Sequence, residues 1–509
     1  MVWVTPLLMT MQLMAVSVLI AAVIGILGAW AGFRLQSGGR VANLFSRIFF
    51  TSMVAAAATP MILHATAWEA TAGKFGWMML TQTGARTDST GSYGFFVGLA
   101  ASAWIHGVVG SAFVTIATWW GVGRVSPVLV AQSRLEMGPN AAFWRVLIPL
   151  ASPWWIASLV GTALLAATEM TVVDLYGYRT VADQFYLFYA MDPSPMAVAT
   201  TCVFPLAICA AGIGWLLVSR PVRRVGRSRT IERFGDGDAG DRHGIWLAWG
   251  LAMSVAVLVI GVPMFGLLTK AGQDVAVENG AVVLTWSPWQ MASRLAKTPL
   301  NFGSEYQWTS ILAAMVATAS LVVAWPIAAL GRQRPRFQSL ADAFSIFLVC
   351  IPGPIVGLVV VHVFQTDVVG FKTLYQQTLV PTTIALMVRG VPVAYWIVRS
   401  GYRGIDDTVL QSAAMDLSPW RRGWLIDRPL LMRSAIAAWL AVVVTSSGDV
   451  PASLPVIPAG VSTVGIRLFG LLHSGARYQE ACLALGYIAA VVGLTVVCLG
   501  RRSDRRVRV

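Results

Sequence analysis

Apolar runs long enough to cross a bilayer recur along the whole of this chain, and that recurrence limits its fold more than any other feature. A soluble protein needs a polar exterior. A chain of 509 residues that is 57% hydrophobic and only 12% charged cannot supply one. The sequence therefore predicts an all-α polytopic membrane protein with about 11 transmembrane helices. They are expected near 7–33, 45–68, 94–120, 150–169, 196–219, 245–269, 307–331, 340–365, 377–400, 430–447 and 479–500. The first run, Pro6 to Phe33, is too long for a cleaved signal and has no basic segment before it, so it reads as a retained span.

The net charge of +14 would point to nucleic acid in a soluble protein. Here the arginines cluster in short connections, and the positive-inside rule explains them instead, so no nucleic-acid partner is implied. One set of connections carries Arg34, Arg40 and Arg47, then Arg124 and Arg134, the stretch Arg220 to Arg242, Arg332 to Arg336, and Arg403 to Arg428. The tail adds Arg501 to Arg508. The alternate connections are poorer in arginine and hold all four lysines, Lys74, Lys270, Lys297 and Lys372. The arginine-rich side is expected to be cytoplasmic, which puts the amino terminus outside and the carboxyl terminus inside. The five cysteines lie within or beside apolar runs without CxxC spacing, and read as small core residues rather than disulfides or metal ligands.

Two polar breaks stand out between apolar spans. Asp406 to Pro429 reads DDTVLQSAAMDLSPWRRGWLIDRP, and Val130 to Pro149, VAQSRLEMGPNAAFWRVLIP, is its weaker copy. In the first, a short surface helix can place Val409, Leu410, Ala413 and Ala414 on one side. Pro419 ends that helix, and Pro429 opens the next span, where a missing N–H matters least. Arg421 and Arg422 can pair with a partner or with lipid phosphates. Both breaks fall on the side expected to be cytoplasmic.

The breaks belong to a longer repeat. Gly28-Ala29-Trp30 corresponds to Val323-Ala324-Trp325, Pro60 to Pro352 and Pro354, and His106-Gly107 to Arg389-Gly390. Pro149 corresponds to Pro429, and Glu169 to Asp449, with every offset between 280 and 295. The expected organisation is a first half at 1–219 with about five spans, a charged cytoplasmic linker at 220–243, and a second half at 244–509 with about six. The second half carries an extra leading span, 245–269, followed by an outside loop near 270–306.

The sequence has no GxxxxGK[ST] phosphate loop, no HExxH, no clustered acidic metal site and no GxSxG. The chain is therefore not expected to be an enzyme, to hydrolyse nucleotide, or to carry a cofactor or a metal. Ionisable residues inside spans are functional candidates by default. Arg389 falls mid-span, His106 is its repeat partner, and Glu169 and Asp449 lie at the outer ends of paired spans. Arg389 is expected to face the bundle interior and to pair with Asp449 or Glu169, these groups lining a route. A structural ion pair or a snorkelling arginine is the alternative. His64 and His362 fall late in equivalent spans; hydrogen bonding between helices is the usual role of such histidines, and a metal site the rarer one.

The stretch SAAMDLSPWRRGWLIDRPLL resembles the cytoplasmic EAA loop of bacterial ABC importer permeases. Ser447 to Ala452, Pro458 to Thr463, FWRVLIPL at Phe143 to Leu150, and Glu169 to Tyr186 extend the likeness to fused, two-half permeases of the ferric-iron type, with thiamine permeases nearby. The loops depart from the pattern. Counted back from Pro429, the family's glycine position holds Asp416 and its EAA position Leu410-Gln411-Ser412; a gap puts Ser412-Ala413-Ala414 there instead. Arg428 replaces the last leucine. Counted back from Pro149, the same positions hold Glu136 and Val130-Ala131-Gln132, with Gly138 two residues later.

The resemblance implies a type I ABC importer permease fold of two tandem permease repeats, in a bacterial cytoplasmic (inner) membrane. It implies two ABC ATPase subunits on the cytoplasmic side, seated on loops 130–149 and 406–429 (with Trp420, Arg421 and Arg422 in the second), and a periplasmic or lipid-anchored solute-binding protein outside, meeting the loops near 169–195 and 447–478. Ferric iron is the implied solute, with thiamine, a polyamine or another small solute as alternatives. Membrane lipid is the remaining partner. A secondary transporter is the alternative of another class; it would usually show helices broken by Gly or Pro at its site. A membrane enzyme would need clustered His, Asp or Glu, and His64, His106, His362 and His473 are dispersed.

Overall fold

A backbone in hydrocarbon has no water to bond to, so each span must close its own hydrogen bonds, and helices do so within a single segment. The computed structural model describes residues 4–36, 38–73, 76–78, 97–191, 242–278, 281–475 and 477–500. The expected span 196–219, the linker as far as residue 241, Lys74, Cys202, Cys209 and the tail arginines lie outside them. Among the described residues, seven helices are long and apolar enough to cross a membrane, or nine if each of two bent pairs is one span. The protein is a multi-pass helical membrane protein.

The chain opens with α1 (Val4–Gln36), α2 (Gly39–Ala58), α3 (Met61–Ala72) and α4 (Gly98–Val122). The expected span 45–68 is thus two helices. Pro60 has no N–H to continue α2 and pushes Thr59 into an extended conformation. α1 and α4 pack closely because glycines let them. A Cβ on Gly25 would lie 2.5 Å from the Val114 Cβ, and one on Gly107 2.6 Å from that of Ile20. Small residues at helix contacts supply dispersion that lipid tails cannot better.

Next come α5 (Pro127–Ala142), a π-helical turn at Phe143–Leu147, α6 (Ser152–Thr168), α7 (Thr171–Leu175) and α8 (Val181–Met191). α5 kinks at Gly138, whose φ of 76° and ψ of 162° favour glycine. The chain bends by 69° between Leu150 and Ser152, just before Pro153. Trp155 donates its indole N–H to the Ile148 carbonyl at 3.2 Å, closing one acceptor at the bend.

The second described stretch begins with α9 (Arg242–Ala256) and α10 (Val262–Gly272), joined by a π-helical turn into one crossing. The loop expected near 270–306 is structured. It holds an antiparallel hairpin, β1 (Gln273–Glu278) and β2 (Ala281–Trp286), paired from Gln273↔Trp286 to Glu278↔Ala281, and then α11 (Pro288–Asn301). Lys270, expected in this connection, lies instead in the last turn of α10, buried and ion-paired with Glu480. A lysine at that depth is stable because a carboxylate meets it.

The chain continues through α12 (Gly303–Gln333), α13 (Pro335–Cys350), α14 (Gly353–Phe364), α15 (Phe371–Gln377) and α16 (Val380–Arg403). α13 and α14 meet at 97° across Ile351-Pro352, where two prolines flank Gly353. Then follow α17 (Asp407–Asp416), α18 (Pro419–Arg422), a π-helical turn at Gly423–Asp427, α19 (Arg428–Ser447), α20 (Val450–Ser453), α21 (Val464–Ser474) and α22 (Arg477–Gly500).

The succession from α1 to α8 recurs from α12 to α21, with α15 inserted and the kinked α5 matched by the separate helices α17 and α18, down to a π-turn before each returning span. Contacts between the two runs are reciprocal. α3 packs against α21, and its counterpart α14 packs against α8. α9 and α10 lie across the first run, on α1 and α3. Two buried clusters follow this division, one around Phe33, Phe49 and Phe143, another around Tyr395, Tyr402 and Leu431, while a third joins the runs by packing Ile62 and Leu63 with Val464 and Leu468.

Candidate functional site

Two polar centres occupy matching places in the recurring succession. Arg389, on α16, donates to the Asp449 carboxylate at 3.1 Å. Asp449 also caps α20, accepting the Ala452 N–H at 3.3 Å. In the other run, His106 on α4 is fully buried, with Nδ1 2.7 Å from the Ser102 carbonyl. A carbonyl only accepts, so Nδ1 carries the proton, and Nε2 faces Glu169 at 3.7 Å without a hydrogen-bond partner. Glu169 caps α7 by accepting from the Thr171 and Val172 amides at 2.7 and 2.9 Å. Each acid therefore does two things: it closes the amino end of a short helix, and it faces a basic side chain from an earlier long helix, α4 or α16. The short helices exist because the span has ended and the exposed N–H groups need an acceptor.

Hydroxyls surround these acids. Ser446, Ser447, Ser453, Thr309 and Thr463 line a small cavity of about 10 Å³ beside Asp449. Thr309 accepts the Val464 amide at 2.8 Å, which fixes the start of α21. Its counterpart Thr10 accepts the Val181 amide at 3.0 Å and fixes the start of α8. Sequence reading missed this pair, because a threonine within an apolar run is ordinary and only the fold shows what it holds. The arrangement is a set of fixed charges and dipoles at paired helix ends, suited to steering a polar solute or a proton past an apolar interior.

The two polar breaks lie at one end of the bundle. Arg332, in the last turn of α12, donates to the Ile405 carbonyl, and Arg124 is near enough to Arg403 for their charges to interact. In the first break Val130 is buried, while Ala131, Gln132 and Glu136 are exposed, Gln132 donating to Glu136 at 2.9 Å. Gly138 forms the kink and Pro149 is exposed. Leu135 is 88% exposed. In the second, Asp406 caps α17 through the Thr408 amide, Ser412 and Asp416 are exposed, and Ala413 is half-buried. Met415 is 81% exposed. Ala414 and Trp420 are placed on α17 and α18 by their backbone alone. Arg421 is exposed, Arg422 half-buried, and Pro429 exposed at the start of α19. Arg428 stacks on Trp424 at 4.6 Å. Each break is anchored from below: Phe33 packs on Phe143, and Tyr402 donates to the buried Asp427.

Other polar contacts join the two runs at the opposite end. His473 on α21 meets Asp174 on α7 at 3.1 Å. The Asp174 carboxylate holds the His473 pKa above the ordinary value, against partial burial, which lowers it. Asp183 is pushed up by burial, although Arg179 pairs with it. Tyr176 donates to Glu69 at 3.1 Å, near the Lys270–Glu480 pair. His64 bonds the Ala56 carbonyl at 2.9 Å, across the break in its helix, and His362 is exposed. No group of three metal-ligating side chains occurs among the described residues. No protein-family model matches the chain, and no curated protein matches it.

Proposed function

We propose that the chain is the membrane-spanning subunit of a binding-protein-dependent ABC importer, with two permease halves in one chain. The observation that carries this reading is the pair of surface breaks. Each is a short helix, a Gly-Pro or Ser-Pro interruption, a π-turn and a proline-started span, and each sets a large apolar side chain (Leu135 or Met415) in solvent. Exposed apolar side chains on otherwise polar surfaces mark sites of association. Two such sites at one end suit two copies of a soluble partner, and the resemblance makes that partner an ATPase subunit. The arginines gathered at this end favour a cytoplasmic location, with the amino terminus outside, in a bacterial inner membrane.

On this reading the Arg389–Asp449 and His106–Glu169 centres border the route, and the two runs move against one another as ATP is bound and hydrolysed. A solute-binding protein delivers cargo at the end where α7, α8, α20 and α21 lie. Ferric iron is the first cargo to test, then thiamine and polyamines. The test is co-purification of the full chain with an ABC ATPase subunit co-expressed from the same organism. Leu135→Asp combined with Met415→Asp should keep the chain folded but lose the ATPase; full retention of the ATPase by that variant would refute the docking role.

A second reading, a secondary transporter, draws on one specific observation. The helix breaks at Pro60 and at Pro352 to Pro354 interrupt corresponding elements, as binding-site helices in such carriers do. Uptake that persists without ATP and stops with an ionophore would favour it.

A further inference from the structure

The face opposite the two breaks should be poor in cations if topology alone set their placement. It nevertheless gathers Arg294, Lys297 and Arg467 around one cleft of about 600 Å³ between α11, α21 and the start of α22. That the cleft lies opposite the breaks follows from α12, which starts beside α11 and ends at the Arg332–Ile405 contact. Arg294 is held rigidly: it donates to the Gln273 carbonyl at 2.9 Å, lies 3.5 Å from Asp274, and stacks on Tyr478 at 4.0 Å. Arg467 is 3.6 Å from Glu305. Lys297 is exposed and has no ion-pair partner among the described residues. Two acids against three cations leave one positive charge in the cleft.

The surroundings are apolar and wet at once. α11 has too few residues to span a membrane, yet Trp289 is 81% exposed and Leu300 84%. Trp286 is also exposed on the adjoining strand. Tryptophans beside cations, where a long apolar helix begins, mark the headgroup level of a leaflet.

The geometry points to this cleft as a binding site for the headgroup of an anionic phospholipid, with Lys297 and Arg467 meeting the phosphodiester and the acyl chains lying over Trp289 and Leu300. One negative charge on the phosphodiester matches the one uncompensated positive charge, and a charge-assisted hydrogen bond from guanidinium or ammonium to phosphate is stronger than a neutral one. The site rests on the chain being embedded in a membrane, not on its cargo or on an ATPase.

The test uses the full chain in detergent, with native mass spectrometry and thermal melting after adding phosphatidylglycerol, phosphatidylcholine or glycerol 3-phosphate. Phosphatidylglycerol should be retained and should raise the melting temperature, and the other two should not. Lys297→Glu should weaken phosphatidylglycerol retention at least about tenfold, equivalent to about 1.4 kcal/mol, while the lipid-free melting temperature stays unchanged. Arg467→Gln gives an independent second reading of the same loss. Equal retention by wild type and both variants would overturn the site. Stabilisation by glycerol 3-phosphate alone would overturn the lipid as its ligand.

Discussion

Arg389 and His106 are the residues on which the transport reading is most exposed. Arg389→Gln keeps a hydrogen-bond donor for Asp449 but removes the charge. Asp449 retains the Ala452 amide, and Arg389 is only partly buried, so the stability loss should be about 1–3 kcal/mol. Uptake should fall at least tenfold, or about 1.4 kcal/mol in barrier, with the chain still assembled; unchanged uptake would make the pair structural. His106→Gln tests the other centre in the same assay. These residues were legible because a charge inside an apolar run is rare. Their partners were only half legible, since sequence offered Arg389 two acids and the fold selects Asp449.

At the scale of elements, close helix contact depends on missing side chains. Gly107→Val would drive a branched side chain into Ile20 and should lower stability by about 1–3 kcal/mol through overpacking of α1 against α4. Gly250→Ala, on α9 with nothing near its Cβ, should be neutral or slightly stabilising in the same melting experiment. The breaks at Pro60 and Pro352 were visible as prolines within spans, but the 97° turn was not. Proline forbids a continued helix without fixing the angle at which the next one leaves; packing against α20 and α8 sets that.

For the whole molecule, the His473–Asp174 contact ties α21 to α7 and is a pH-dependent clasp. The histidine's pKa is raised in the folded state, so its contribution is complete below about pH 6.5, the unfolded value. It is lost as pH rises through the folded value. The pair is partly solvent-exposed, which keeps its worth below about 1 kcal/mol. His473→Gln should therefore melt below wild type at acidic pH, and the two should converge towards about pH 9. A gap that widens with pH would show that the contact is not ionic. If the importer proposal holds, a single chain carries two ATPase subunits, measurable as the mass of the purified complex.

The sequence by itself determined that this is a multi-pass helical membrane protein, because apolar runs of that length have no other stable state. It also marked the two surface breaks and the four interior ionisable residues, since each is a local departure from apolar composition. Tertiary structure alone decided that Lys270 is buried against Glu480, that Thr10 and Thr309 hold the starts of α8 and α21, and that Arg294, Lys297 and Arg467 share one cleft. Each of these joins residues far apart in the chain. Composition and period report which face of an element is apolar, but not which element comes to lie against it.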